Sequence, residues 1–202
     1  FQMWEETMST IAIILTSVIM AVVIGLPTGI AMSRSDRTEK IVTPILDVMQ
    51  TMPPFVYLIP IVMLMGIGKI PGLISVVIYA IPPLIRLTNL GIREVDQEAL
   101  EAADAFGATK RQKLFEVQLP LALPTIFAGI NQTIMMALAM VIIASMIGVK
   151  GLGQPVLQSI YNQYFTKGVL YGLAIVIVAI VFDRVSQSYG KRIQKHRSGK
   201  LI

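Results

Sequence analysis

Hydrophobic positions in this chain fall into long uninterrupted blocks. They show neither the alternation of a half-buried strand nor the single stripe of a soluble amphipathic helix. Five blocks stand out, at about residues 9–32, 44–66, 70–90, 121–149 and 168–183, the last free to start earlier in the aromatic segment before it. The first alone makes ~36 Å of helix, enough to cross a bilayer with some tilt. Gly25 and Pro27 predict a kink near its end, and Pro53, Pro54 and Pro60 predict that the second span is broken or bent near mid-membrane. The third carries Pro82-Pro83 in its second half. Prolines free backbone carbonyls in hydrocarbon, which is tolerable only where helices pack together or line a cavity. Packing is the simpler account here, with a gating role as the alternative.

With 54% hydrophobic and 14% charged residues among 202, the composition is that of a polytopic helical membrane protein rather than a soluble domain. Zero cysteines exclude a disulfide framework and a thiolate metal site, and the one histidine, His196, sits in a basic tail where a zinc site is not expected. The chain opens Phe1-Gln2-Met3-Trp4-Glu5-Glu6, with no initiator methionine and no basic region of a signal peptide, so it reads as a segment of a longer polypeptide.

The formal charge of +5 could point to nucleic acid, but its distribution points to membrane edges. Of the 17 Lys and Arg, 14 fall in the 33–43 loop, in the 86–120 segment, or beyond residue 183, leaving Lys69, Lys150 and Lys167 on the other side. By the positive-inside rule the N-terminus is external, and the 93–120 segment and the tail at 184–202 are cytoplasmic. Trp4, Tyr161, Tyr164 and Phe165 then fall outside, as interfacial anchors, with ligand gating as a second reading. The cations between Lys191 and Lys200 are expected to anchor topology, or alternatively to bind anionic lipid.

The cytoplasmic segment reads as an elbow of two short helices. The first, from Asp96 to Phe106, is rich in alanine and acidic in its first turn. Gly107 falls where a left-handed residue stops a helix. Thr109 and Gln112 form a predicted capping box, and Leu114, Phe115 and Val117 give the second helix an apolar side until Pro120 is expected to end it. An acidic first helix argues against nucleic-acid binding, which needs clustered Lys and Arg.

The spacing Glu101-Ala102-Ala103, Gly107, then Val117-Gln118-Leu119-Pro120 resembles the cytoplasmic loop of permease subunits of binding-protein-dependent ABC importers. The family has isoleucine where this chain has Val117. The stretches 119–126, 128–133, 141–147 and Gly151-Leu152-Gly153-Gln154 are similar to the glycine betaine/proline betaine permeases, so that the likeness extends over roughly 93–183. This resemblance implies a type I importer transmembrane domain: all-α, about five spans in a single permease domain, in a bacterial or archaeal cytoplasmic membrane. It also implies an ATPase subunit that binds ATP and Mg and docks on Glu101, Ala102, Ala103, Gly107, Leu119 and Pro120. A second permease copy and an external binding protein or fused domain complete the assembly. Because the C-terminus reads as cytoplasmic, a receptor fused there needs another membrane crossing.

No Walker sequence or nucleophile constellation is visible, so the chain is not expected to be an enzyme on its own. The glycine-rich 148–153 run lacks phosphate-loop spacing and is read as a plain turn at a helix end. Asn131, Gln132, Thr133 and Ser145 are candidates for the translocation path, with helix–helix hydrogen bonding as the competing account. Asp47, Arg86, Asp183 and Arg184 lie near cytoplasmic helix ends, so no acidic relay sits at mid-membrane. Alternatives are a permease for another small solute such as an amino acid, an ion-coupled carrier or channel, and a non-transporting membrane anchor.

Overall fold

The computed structural model describes residues 2–146 and 148–198, with side chains described from Met3 to Gly190 except at 147 and 189. The cations at 191–200 and His196 therefore lie outside the described side chains. Among the described residues the secondary structure is helical: α1 (Gln2–Ser33), α2 (Asp36–Thr51), α3 (Pro54–Met65), α4 (Lys69–Arg93), α5 (Gln97–Ala105), α6 (Lys110–Gln112), a π-helical segment (Lys113–Gln118), α7 (Leu119–Met146), α8 (Gly153–Tyr161) and α9 (Phe165–Ser198). Four helical runs are long and apolar enough to span a bilayer, and the α2–α3 pair makes a fifth if taken as one broken span. That pair bends by 94° at Met52–Pro53. Pro53 and Pro54 cannot supply the amide donors that would carry the helix onward, so the chain turns there instead.

Helix α4 is the axis of the bundle. Of its most apolar stretch 61% is buried, against 11% for α9, so α4 is sandwiched between α1 and α7 while α9 keeps most of its surface for lipid or another chain. This explains Pro82 and Pro83 inside α4: both are buried, so the carbonyls they orphan sit against protein rather than lipid. Close backbone approach holds the sandwich together. A Cβ on Gly29 of α1 would come 2.6 Å from Cβ of Thr88 and 2.8 Å from the Ile85 carbonyl oxygen, both on α4. The outer core joins Ile14, Leu58, Val76, Ala137, Met140, Val141 and Leu152. A separate inner cluster joins Ile92, Val95, Leu114, Ala122 and Ile126 at the elbow end.

The 148–153 run does more than turn the chain. Gly148 has φ +104°. Val149 and Leu152 are buried, and the Leu152 N–H donates to Thr10 Oγ1 at 3.0 Å, which fastens the loop to α1. A Cβ at Gly153 would lie 2.6 Å from the Ile142 carbonyl oxygen, so only glycine lets α8 start this close to α7. Tyr161, Tyr164 and Phe165 are exposed at the same end of the bundle.

Candidate functional site

The elbow between α4 and α7 is built by a succession of local hydrogen-bond devices. Asp96 caps α5, its carboxylate accepting the Glu98 N–H at 3.0 Å. At the other end Gly107 takes φ +75°. Its N–H donates to Asp104 O at 2.9 Å, and the Ala108 N–H donates to Ala103 O at 3.0 Å. These two bonds are a complete Schellman motif, satisfying carbonyls that a helix end leaves orphaned. Nothing lies within 4 Å of a Cβ built on Gly107, so the sign of φ alone demands glycine there. The second limb opens with the reciprocal pair of the capping box. The Gln112 N–H donates to Thr109 Oγ1 at 3.3 Å, and the Thr109 N–H donates to Gln112 Oε1 at 2.9 Å. An ion pair between Lys113 and Asp104 straps the two limbs together.

The structure departs from the sequence expectation at the end of the second limb. No stop occurs at Pro120: the chain passes from α6 through the π segment directly into α7, as one helical run from Lys110 to Met146. The Leu119 N–H reaches back five residues to Leu114 O. Widening this turn reduces the clash a proline ring makes with the carbonyl four residues earlier, so Pro120 is accommodated and the second limb is continuous with a membrane-crossing helix.

Burial divides the elbow into a root and a tip. Leu114 is buried with Ile92 of α4, with Val95 just after it and with Ala122 and Ile126 of α7, while Leu26 and Ile30 of α1, Leu100 and Leu119 pack against them. The root of the elbow is thus packed against α1, α4 and α7 through buried side chains. Glu101 and Ala102 face outward, and Ala103 is half-buried. Phe106 is 93% exposed at the apex, and Phe115 on the second limb is also exposed. Sequence reasoning gave Phe106 no role. In the sequence it is an aromatic residue set among alanine and acidic residues immediately before the stop glycine.

Beside the root, Arg93 binds α2. Its guanidinium donates to Asp36 at 2.7 Å and to the Met32 carbonyl at 3.1 Å, lies 3.1 Å from Glu39, and is held by Asn89 Oδ1 at 3.1 Å. Asn89 in turn donates to Glu39 at 2.7 Å. Arg86 pairs with Asp47 at 2.5 Å. These contacts clamp α2 to α4 on the cytoplasmic side. The Arg86–Asp47 pair is the more exposed and contributes geometry more than stability, whereas Arg93 and Glu39 are each about two-thirds covered and Asn89 is buried.

The four path candidates do not converge. Thr133 and Ser145 are buried within this chain, the latter donating to the Ile142 carbonyl of its own helix at 2.8 Å. Asn131 accepts from Ser186 of α9, while Gln132 is exposed. Successive residues on a helix point about 100° apart, which is why three neighbours in sequence face three different surroundings.

Residues 21–195 match the family described as binding-protein-dependent transport system inner membrane component. The chain is 55% identical over 188 residues to ProW of Salmonella typhimurium, a glycine betaine/proline betaine transport system permease protein, covering 93% of this chain and 53% of that protein. It is 53% identical over 189 residues to GbuB of Listeria monocytogenes, a glycine betaine/carnitine transport permease protein, covering 94% of this chain and 67% of that one. The chain thus spans about half the length of the first of these relatives. An inward-facing structure of the MetNI methionine ABC transporter superposes with a TM-score of 0.86 at 22% identity, over 95% of this chain and 96% of that one, which establishes a shared type I importer fold. With the match running from α1 into α9 and taking in the whole elbow, the chain belongs to the family of inner membrane components of binding-protein-dependent transport systems.

Proposed function

We propose that this chain is the transmembrane permease part of an ATP-driven importer for glycine betaine or a related quaternary-ammonium osmoprotectant. The observation that carries the coupling is the elbow itself, an exposed tip of Glu101, Ala102 and Phe106 on a root buried against three bundle helices. An ATPase subunit, which binds the ATP and Mg, receives that tip in a groove. Small side chains at Ala102 and Ala103 permit close backbone approach, and Glu101 supplies a polar contact. Two permease copies enclose the path, and two ATPase subunits lie beneath them. Closure of the ATPase dimer draws the elbows together and favours the outward-facing state; hydrolysis and release return the inward-facing one. A binding protein or fused external domain delivers the solute. The choice of solute rests on the names of the relatives, ProW and GbuB.

The test is transport by the full-length permease with its ATPase and binding protein in proteoliposomes. Uptake of labelled glycine betaine should require ATP and be competed by proline betaine or carnitine. Uptake driven by an ion gradient without the ATPase would overturn the proposal in favour of a carrier. Absence of any betaine flux in a complex that transports another solute would overturn the assignment of substrate.

A further inference from the structure

At the end of the bundle opposite the elbow, the first turns of α1, α4 and α9 and the α7–α8 connection surround a cavity of about 690 Å³. Its lining brings together Lys69, Lys150 and Lys167, which are the three cations left on the external side, with Trp4, Glu5 and Glu6. Four separate parts of the chain thus deliver both signs of charge to one hollow. Among the described residues none of these five charged groups forms an ion pair with another. The three lysines are exposed. Glu6, in contrast, is half-buried, with its Oε2 shut off from solvent. Tyr171, itself buried, also lines the cavity and is a side-chain hydrogen-bond partner of Glu6.

Glu5 and Glu6 give one wall of the hollow negative charge, which favours a cation beside it. A quaternary ammonium supplies that positive charge and has no hydrogen to donate, so it needs negative charge and ring faces rather than a fixed acceptor. Trp4, 66% exposed, offers a ring face for the same cation. Unpaired lysines on the other walls suit a carboxylate. A lone anion or a lone cation meets like charge in this hollow, whereas a molecule carrying both finds a partner for each. The volume lies within the range of roughly 300–1,000 Å³ typical of small-molecule sites.

We propose that this external hollow is a receiving site for a small zwitterion with a quaternary ammonium and a carboxylate, the lysines holding the carboxylate and Glu6 with Trp4 facing the ammonium. This rests on the proposed function and adds a place where the chain itself meets the solute on entry.

The test is equilibrium binding of labelled glycine betaine to the full-length permease–ATPase complex without binding protein, competed by tetramethylammonium or acetate. Saturable binding should weaken at least tenfold in Glu6→Gln and in Lys150→Gln, with Lys69→Gln as a further surface variant. Each singly charged competitor should displace far less label than unlabelled betaine. Absence of saturable binding, or binding indifferent to all three substitutions, overturns the site. Variants that keep betaine binding but lose docking of the binding protein also overturn it, showing that the charges face a protein. ATP-driven uptake by the unaltered complex separates the two levels: intact uptake with charge-independent binding refutes only the hollow, while absent betaine uptake refutes the function beneath it.

Discussion

Replacing Gly107 with valine perturbs the elbow through its backbone alone. The residue sits at φ +75° with nothing within 4 Å of an added Cβ, so a side chain meets no neighbour and the whole penalty comes from the left-handed conformation. For an ordinary L-residue that penalty is roughly 1–2 kcal/mol, and a β-branched residue lies at or above the upper end. A cost of about 2 kcal/mol weakens the preference for the native turn by roughly thirtyfold. The two Schellman bonds, to Asp104 O and Ala103 O, depend on that turn, and so does the angle at which Glu101 and Phe106 are presented. The permease core is remote from the change, and its thermal stability in detergent should stay close to that of the unaltered protein. Betaine-stimulated ATP hydrolysis and uptake in proteoliposomes should both fall steeply. An allelic series sharpens the point: asparagine, which tolerates left-handed backbone, should retain most activity, alanine less, and valine least. Equal activity in all three, or an order set by side-chain size rather than by tolerance of positive φ, would refute the reasoning.

Phe106→Ala should weaken co-purification of the ATPase subunit by about 2 kcal/mol or more, as truncation of a buried aromatic anchor does, while the permease, which leaves this ring 93% exposed, keeps its own melting temperature. Gly29→Leu should lower the yield and thermal stability of the permease by about 1–3 kcal/mol of overpacking, because even a Cβ there meets Thr88 at 2.6 Å; Gly172→Ala, with open space around it, is the control. Thr133→Val should leave uptake unchanged and stability equal or slightly higher, because its hydroxyl is buried without a partner and a methyl of the same shape fills the place; a fall in transport would return this residue to the solute path.

The broad architecture was legible in the chain because it follows from one-dimensional quantities. Uninterrupted apolar length announces membrane helices, and the placement of Lys and Arg orients them. Local chemistry was equally readable where the partners are neighbours. The stop at Gly107 and the Thr109–Gln112 capping box depend on residues within a few positions of each other, and the structure contains both. The same holds for the break at Pro53-Pro54, since proline acts on its own turn.

What the tertiary structure decided involves residues that only folding brings together. No local rule shows that Pro120 will be passed by a π turn, or that Leu114, whose carbonyl closes that turn, will be buried in a cluster with residues of α1, α4 and α7. Nor does sequence spacing show that Arg93 will be gripped by Asp36 and Glu39 of α2, or that Asn131, Gln132 and Thr133 will face three different surroundings. The gathering of Lys69, Lys150 and Lys167 into one hollow with Glu5 and Glu6 is of the same kind. Hydrophobic length and proline act along the chain; charge pairing and close packing act across it, at separations that only the folded bundle defines.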